Sequence, residues 1–284
     1  MLSGLILAAA LTAVSPEDHA AACRDKDGWS DPAPPIQIFA NVYNVGTCGI
    51  TAVLIVDPAG LVLIDSGPAN AAPIVQRNVE TLGFRITDVK LLLATHEHYD
   101  HVGGLGALQA ASGAALRVSA PAGRALSEGA VDPNDPQFGE IEPPARAVVG
   151  PPIVDGEIIR LGAISLTAHL TPGHVFGGTS WTWRACERDR CHSIAYADSL
   201  SAVSRDGYRF LDHPDRVEAI TKSIATVAKL KCDILITPHP SSSALFARLH
   251  GEAPLVNRRA CAAYAASARA NLEKRLARER TAKP

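Results

Sequence analysis

The chain has 284 residues, 47% of them apolar, and a formal net charge of −2 at neutral pH. That length supports a sizeable core, and the mixed charge argues against a sequence-independent nucleic-acid binder, which carries a basic face. The densest basic stretch, Lys274-Arg275 through Arg278 and Arg280, is interleaved with glutamates and reads as a solvated helix end rather than a binding patch.

Residues 2–14 are almost all small or apolar and look like the core of a secretory signal peptide, although no Lys or Arg precedes them. The run is shorter than a bilayer crossing needs, so no stable membrane anchor is expected. The expected plan is a signal peptide over 1–20, cleaved between Ala13 and Ala22, and a single domain over 21–284, periplasmic or secreted. Six cysteines fit export, and none forms a Cys-x-x-Cys pair. Several connectivities are open. The expected pairing is Cys186–Cys191 as a hairpin staple, Cys232–Cys261 tying down the C-terminal helix, and Cys23–Cys48 for the remaining two.

From Pro34 onward, short β-rich runs alternate with turns. Strands are predicted over 36–45, 50–56 and 61–64, a helix over 69–82, a buried strand over 90–94 and a helix over 102–111. A strand at 116–119 and a short helix at 121–127 follow. Residues 131–152, with six prolines at 133, 136, 143, 144, 151 and 152, read as a long surface loop of the kind that covers binding sites. The second half repeats the logic, with strands at 158–161, 164–170, 179–183 and 193–197, a helix over 214–230, a strand at 233–237 and a long helix over 262–280. Two β-then-α halves with no linker predict an α/β fold, a four-layer αβ/βα sandwich.

The chemistry concentrates in Thr95-His-Glu-His-Tyr-Asp-His-Val-Gly-Gly104, directly after the apolar run 90–94. Three imidazoles and a carboxylate crowded at the end of a buried strand are costly to hold together without a cation between them, and imidazole with carboxylate suits zinc. His96 and His98 are two apart and project to one side, so both can bind one metal; Asp100 and His101 follow a turn and can reach a second. His174, closing Thr171-Pro-Gly-His174, and His239, closing Thr237-Pro-His239, sit at further strand ends and complete two ligand sets. His19, His169, His192, His213 and His250 are read as structural or surface residues. The spacing fails the His-Glu-x-x-His protease pattern, and there is no Gly-x-Ser-x-Gly elbow.

The pattern His-x-His-x-Asp-His, a later Gly-His and a late histidine resemble the metallo-β-lactamase superfamily. Thr179-Ser-Trp-Thr-Trp183, Tyr196-Ala-Asp-Ser-Leu-Ser201, Thr237-Pro-His-Pro240 and the Cys232/Cys261 pair narrow the resemblance to the third subclass of class B β-lactamases, from about Trp29 to the C-terminal helix. The resemblance implies two Zn2+ per chain, the first on His96, His98 and His174 and the second on Asp100, His101 and His239. It further implies a hydroxide between the metals that opens β-lactams, with Asp100 orienting it or passing a proton. Ser199 and Ser201 would hydrogen-bond the substrate carboxylate. Penicillins, cephalosporins and carbapenems are the implied small-molecule substrates, the consequence is antibiotic resistance, and the expected state is a monomer with no nucleic-acid partner.

One departure lies beside the first metal set: Val175-Phe-Gly-Gly178 stands where close relatives more often have Thr-Pro-Gly-Ser. Alternatives are a lactonase or thioesterase of the same superfamily, or a non-catalytic metal carrier. Adjacent strand residues face opposite ways, so Asp198 and Ser199 cannot both point at the metals; Asp198 there favours the lactonase and Ser199 the lactamase.

Overall fold

The computed structural model describes residues 14–281, so residues 1–13, most of the expected leader, lie outside it. Ser15 caps helix α1 (Pro16–Cys23), accepting from the Asp18 amide at 3.1 Å, with proline at the first helical position and Glu17 and Asp18 in the first turn. The expected domain boundary at 20/21 therefore falls inside α1. Its His19 is buried, with Nδ1 3.0 Å from His250 Nε2 and its ring edge-on to Phe246 at 4.6 Å.

The first sheet holds β1 (Ile36–Phe39), β2 (Val42–Asn44), β3 (Val53–Asp57), β4 (Gly60–Ile64), β5 (Val89–Leu93) and β6 (Ala115–Leu116), in that order. The first four pair antiparallel and the last two join in parallel. The strand predicted over 36–45 is instead a hairpin. Ala40 takes a left-handed φ of +51°, and the Asn41 amide holds the Val56 carbonyl at 2.6 Å, which turns the chain back on itself.

Helices α2 (Ala72–Thr81), α3 (Tyr99–Val102), α4 (Leu105–Ser112) and α5 (Ala120–Glu128) belong to this half. The helix predicted over 102–111 breaks at Gly103-Gly104, where a Cβ on Gly103 would lie 2.8 Å from the Ala69 amide nitrogen. The second half supplies β7 (Ile158–Leu161), β8 (Ile164–Leu170), β9 (Thr179–Glu187) and β10 (Arg190–Tyr196), then α6 (Pro214–Val227), β11 (Ile234–Ile236), α7 (Leu245–Leu249) and α8 (Ala260–Thr281). Its sheet runs β11-β10-β9-β8-β7, with only β10 and β11 parallel.

Period-two alternation sorts the side chains between layers. Val53, Ile55, Val62, Ile64, Leu91 and Leu93 face the other sheet and meet Leu166, Trp181, Ile194 and Ile236. Leu54, Leu61, Leu63 and Leu92 point outward to Val75 and Val79 of α2, Leu108 of α4 and Leu126 of α5. On the far side Ala195 and Leu235 pack on Ile220 and Ile224 of α6 and Ala265 and Leu272 of α8. This is the expected four-layer αβ/βα sandwich. Trp181 is wholly buried between the sheets, and its Nε1 donates to Ala94 O at 2.9 Å; truncating such a ring costs about 3–5 kcal/mol.

All three expected disulfides are present, with Cα separations of 5.4 Å for Cys23–Cys48, 4.1 Å for Cys186–Cys191 and 6.1 Å for Cys232–Cys261. Cys186 and Cys191 face each other directly across the β9–β10 hairpin.

Burial, reinforced by neighbouring His250, lowers the His19 pKa to about 4, so this imidazole is neutral in the fold. The unfolded chain takes up that proton as pH falls through about 6.5, so stability from neutral His19 is complete above that value and is lost down to about pH 4. In a chain beginning at Val14, His19→Leu should flatten the fall in melting temperature across this window relative to the parent; equal slopes would refute the coupling.

Candidate metal centre

The site is assembled from loops of both sheets, at the ends of the parallel strands β4 and β5 and of β10 and β11. After β5 the chain is pulled from the sheet by Asp65, whose carboxylate accepts from Thr95 N at 2.7 Å and Thr95 Oγ1 at 2.8 Å. This bend presents His96 and His98, while Asp100 and His101 ride the single turn of α3. The loop after β8 delivers His174, and the turn after β11 delivers His239.

Two groups result. The ligand atoms of His96, His98 and His174 lie within 4.8 Å of one another, as do those of Asp100, His101 and His239. The groups abut, with the His96 and His101 ring centroids 4.3 Å apart. His96 and His101 are inaccessible, and Asp100 and His174 nearly so.

The outer nitrogens of the first group are already engaged. His96 Nδ1 meets Asp198 Oδ1 at 2.8 Å, and His98 Nε2 meets Asp135 Oδ2 at 3.1 Å. His174 Nδ1 lies 3.0 Å from the Ser201 carbonyl oxygen and 3.1 Å from its hydroxyl. One ring nitrogen of each histidine is thereby left facing inward. His96 Nε2 is buried without a hydrogen-bond partner, as are both ring nitrogens of His101, although its Nε2 is 3.0 Å from Asp100 Oδ2. Buried orphan nitrogens of this kind are costly unless a cation takes their lone pairs.

Electrostatics agree. Burial, then the surrounding imidazoles, push His96 well below its ordinary pKa, His174 to about 3 and His239 to about 4, so all three are unprotonated at neutral pH. Burial works against ionisation of Asp100, but the charge of His101 beside it, with those of His239 and His98, outweighs this and keeps the carboxyl below its ordinary range. Asp100 and Asp65 instead outweigh burial at His101 and raise its pKa, a proton that a bound cation would displace; imidazoles with a carboxylate form a donor set that fits zinc.

Residues 45–187 match the family described as the metallo-beta-lactamase superfamily. The chain belongs to that superfamily. Over its length it resembles a metallo-β-lactamase, MIM-1 from Novosphingobium pentaromativorans, at 49% identity, with 93% of this chain and 98% of that one covered and a TM-score of 0.91. MEM-A1, a subclass B3 metallo-β-lactamase from a soil metagenome library, is 41% identical over 90% of this chain and all of its own, with a TM-score of 0.87. Among curated proteins, a hydroxyacylglutathione hydrolase of Bradyrhizobium sp. (strain ORS 278) is 30% identical over 150 residues, 53% of this chain and 48% of that protein. One from Methylobacterium nodulans is 33% identical over 124 residues, 43% of this chain and 38% of that protein. The match thus spans about half the length of those curated relatives, or less.

Within this metallo-β-lactamase fold the strand end after β10 divides its labour as alternation requires. Asp198 is fully buried and turned onto His96 Nδ1, whereas Ser199 lines the cleft over the two groups. Ser201 also lines the cleft, a space of about 250 Å³ walled by Trp29, Gln137 and Ile141. Asp135 was not singled out from the sequence: nothing in the proline-rich run marks one acid as buried, yet it is 4% exposed and fixed to His98. Asp65 was also missed. An acid directly after the apolar run 61–64 is the signal that could have found it.

The Val175–Gly178 departure also has a place in the packing. Phe176 lies under the Arg216 guanidinium at 3.7 Å, and Arg216 Nη2 donates to Asn134 O at 3.2 Å, so α6 clamps this loop together with the covering one. Gly177 N donates to both carboxylate oxygens of Glu97, at 2.9 and 3.1 Å.

Asp135→Ala should weaken zinc binding roughly 10- to 100-fold, measured by competition with a chromophoric chelator; unchanged affinity would show that the His98 contact is incidental. A Cβ on Gly177 would lie 2.7 Å from the Ala122 amide nitrogen, so Gly177→Ala should lower stability by about 1–3 kcal/mol in denaturant titrations. A loss below a few tenths would mean that the loop beside His174 adjusts freely.

Proposed function

We propose that this chain is a zinc-dependent β-lactamase hydrolysing the lactam amide of penicillins, cephalosporins and carbapenems, with antibiotic resistance as the consequence. The observation that carries the reading is the partition at 198–199: the aspartate supports a histidine from behind, and the serine faces the cleft. The full-length likeness to MIM-1 and MEM-A1 supports it.

His96, His98 and His174 would hold one zinc, and Asp100, His101 and His239 a second. Paired zinc of this kind supplies a nucleophilic hydroxide near neutral pH and polarises the scissile carbonyl. Asp198 is committed to orienting His96, which leaves Asp100 as the carboxylate facing the reaction. Asp100, ionised at neutral pH, can orient the attacking water and accept its proton at the carboxylate. Since His174 Nδ1 can donate to the Ser201 carbonyl, the Ser201 hydroxyl is free to join Ser199 in donating to the substrate carboxylate. Trp29 and, from the covering loop, Gln137 and Ile141 form part of the cleft wall against which a substrate would lie.

Three disulfides support folding in an oxidising compartment, the periplasm or the medium, and the chain is proposed to act as a monomer. Among the described residues no helix is long and apolar enough to cross a membrane.

The partial likeness to hydroxyacylglutathione hydrolases makes thioester cleavage the second reading. The purified zinc-loaded protein should hydrolyse a penicillin, a cephalosporin and a carbapenem and lose that activity to a chelator. His174→Ala should lower bound zinc and rate together. Thioester cleavage with no turnover of any β-lactam would reverse the order of the two readings, and two zincs retained by His174→Ala would overturn the ligand assignment.

A further inference from the structure

A second cavity, about 430 Å³, opens beside the metal cleft on the α8 side. The two spaces are contiguous, sharing Leu200, Ser201, Val203, Ser242 and Tyr264 in their walls. One stripe of α8 faces it: Tyr264, Ser267, Asn271, Arg275 and Arg278 follow at helical spacings of three and four. The adjoining stripe, Cys261, Ala265, Ala268 and Leu272, packs into the core.

The two arginines differ. Arg275 is committed, its Nε to Glu279 at 2.6 Å and its Nη2 to Ser204 Oγ at 2.8 Å and Tyr208 O at 2.9 Å. The Arg278 guanidinium makes no hydrogen bond or ion pair among the described residues, and no carboxylate lines the cavity. The space therefore carries one uncompensated positive charge among hydroxyls and an amide, directly beyond Ser201.

We propose that this cavity is a substrate subsite for the substituent next to the substrate carboxylate, the C3 substituent of a cephalosporin, and that it selects by charge. Acidic or hydrogen-bonding substituents are favoured over cationic ones. The proposal rests on the β-lactamase reading, in which Ser199 and Ser201 hold the carboxylate and so place the neighbouring ring substituent at the cavity mouth. It also revises the reading of Arg278 as only part of a solvated helix end.

Three cephalosporins sharing one acylamino side chain, with a neutral, a carboxylate-bearing or a quaternary-ammonium C3 substituent, test it. The parent protein should show the lowest KM for the carboxylate and the highest for the cation, each step about two- to fivefold, as suits an exposed charge, and the spread should shrink with added salt. Arg278→Glu should invert the order without changing zinc content. Ser267→Tyr, which puts a ring into the cavity, should raise KM for all three relative to a cephalosporin carrying only hydrogen at C3. An order unchanged by Arg278→Glu overturns the charge selection, and KM ratios unchanged by Ser267→Tyr overturn occupancy of the cavity. No turnover of any cephalosporin by the parent protein, alongside thioester cleavage, overturns the underlying reading and the subsite with it.

Discussion

The edge of the sandwich depends on a single buried carboxylate. Asp65 accepts from the Thr95 amide and hydroxyl on its own sheet and from Tyr196 Oη, at 2.6 Å, on the other. It does so from a left-handed φ of +66°, a strain of about 1–3 kcal/mol for a residue with a side chain. Hydrogen bonds to a charged acceptor contribute about 1.5–3 kcal/mol each, so the bonds outweigh the strain. Burial raises the Asp65 carboxyl, and the neighbouring His101 and then these hydrogen bonds oppose that rise. The loop bearing His96 and His98 starts where this network ends.

The first ligand group is supported from separate parts of the chain. Asp198 comes from the strand end after β10, Asp135 from the covering loop, and Ser201 from the segment beyond Asp198. Each histidine is thus oriented by an element that has its own reasons to be in place. A change in the covering loop reaches His98 through Asp135, and one in α6 reaches the His174 loop through Arg216 and Phe176. Metal affinity becomes a property of the assembled layers rather than of six side chains.

Much of this was legible in the sequence because metal ligation leaves local marks. His96, His98, Asp100 and His101 are adjacent on the chain, and His174 and His239 each follow a β run and a Thr-Pro step. The sheets were legible as continuous apolar runs, as in 53–55 and 61–64, because both faces of those strands are covered. The misses were long-range or conformational. Asp135 is coupled to His98 across 37 positions by a loop without periodicity. The β1–β2 hairpin turns at Ala40, a residue with no turn preference, so the run looked continuous. Helix α1 was hidden beneath the leader signal, and its burial of His19 depends on Phe246 and His250, distant in the chain.

Cys23–Cys48 has a consequence for the cleft. The bridge encloses Trp29, whose carbonyl accepts from Thr47 Oγ1 at 2.9 Å and whose ring lies 6.3 Å from that of His239. One wall of the cleft is therefore stapled by oxidation, while the six metal-facing residues stand on strand ends and turns that this bridge does not join. The bridged segment also reaches the second group, since the backbone of Gly49, next to Cys48, hydrogen-bonds His239 and Thr51 N donates to Pro238 O at 2.8 Å. The oxidising power of the surroundings therefore bears on how the wall carrying Trp29, and the turn carrying His239 beside it, are held.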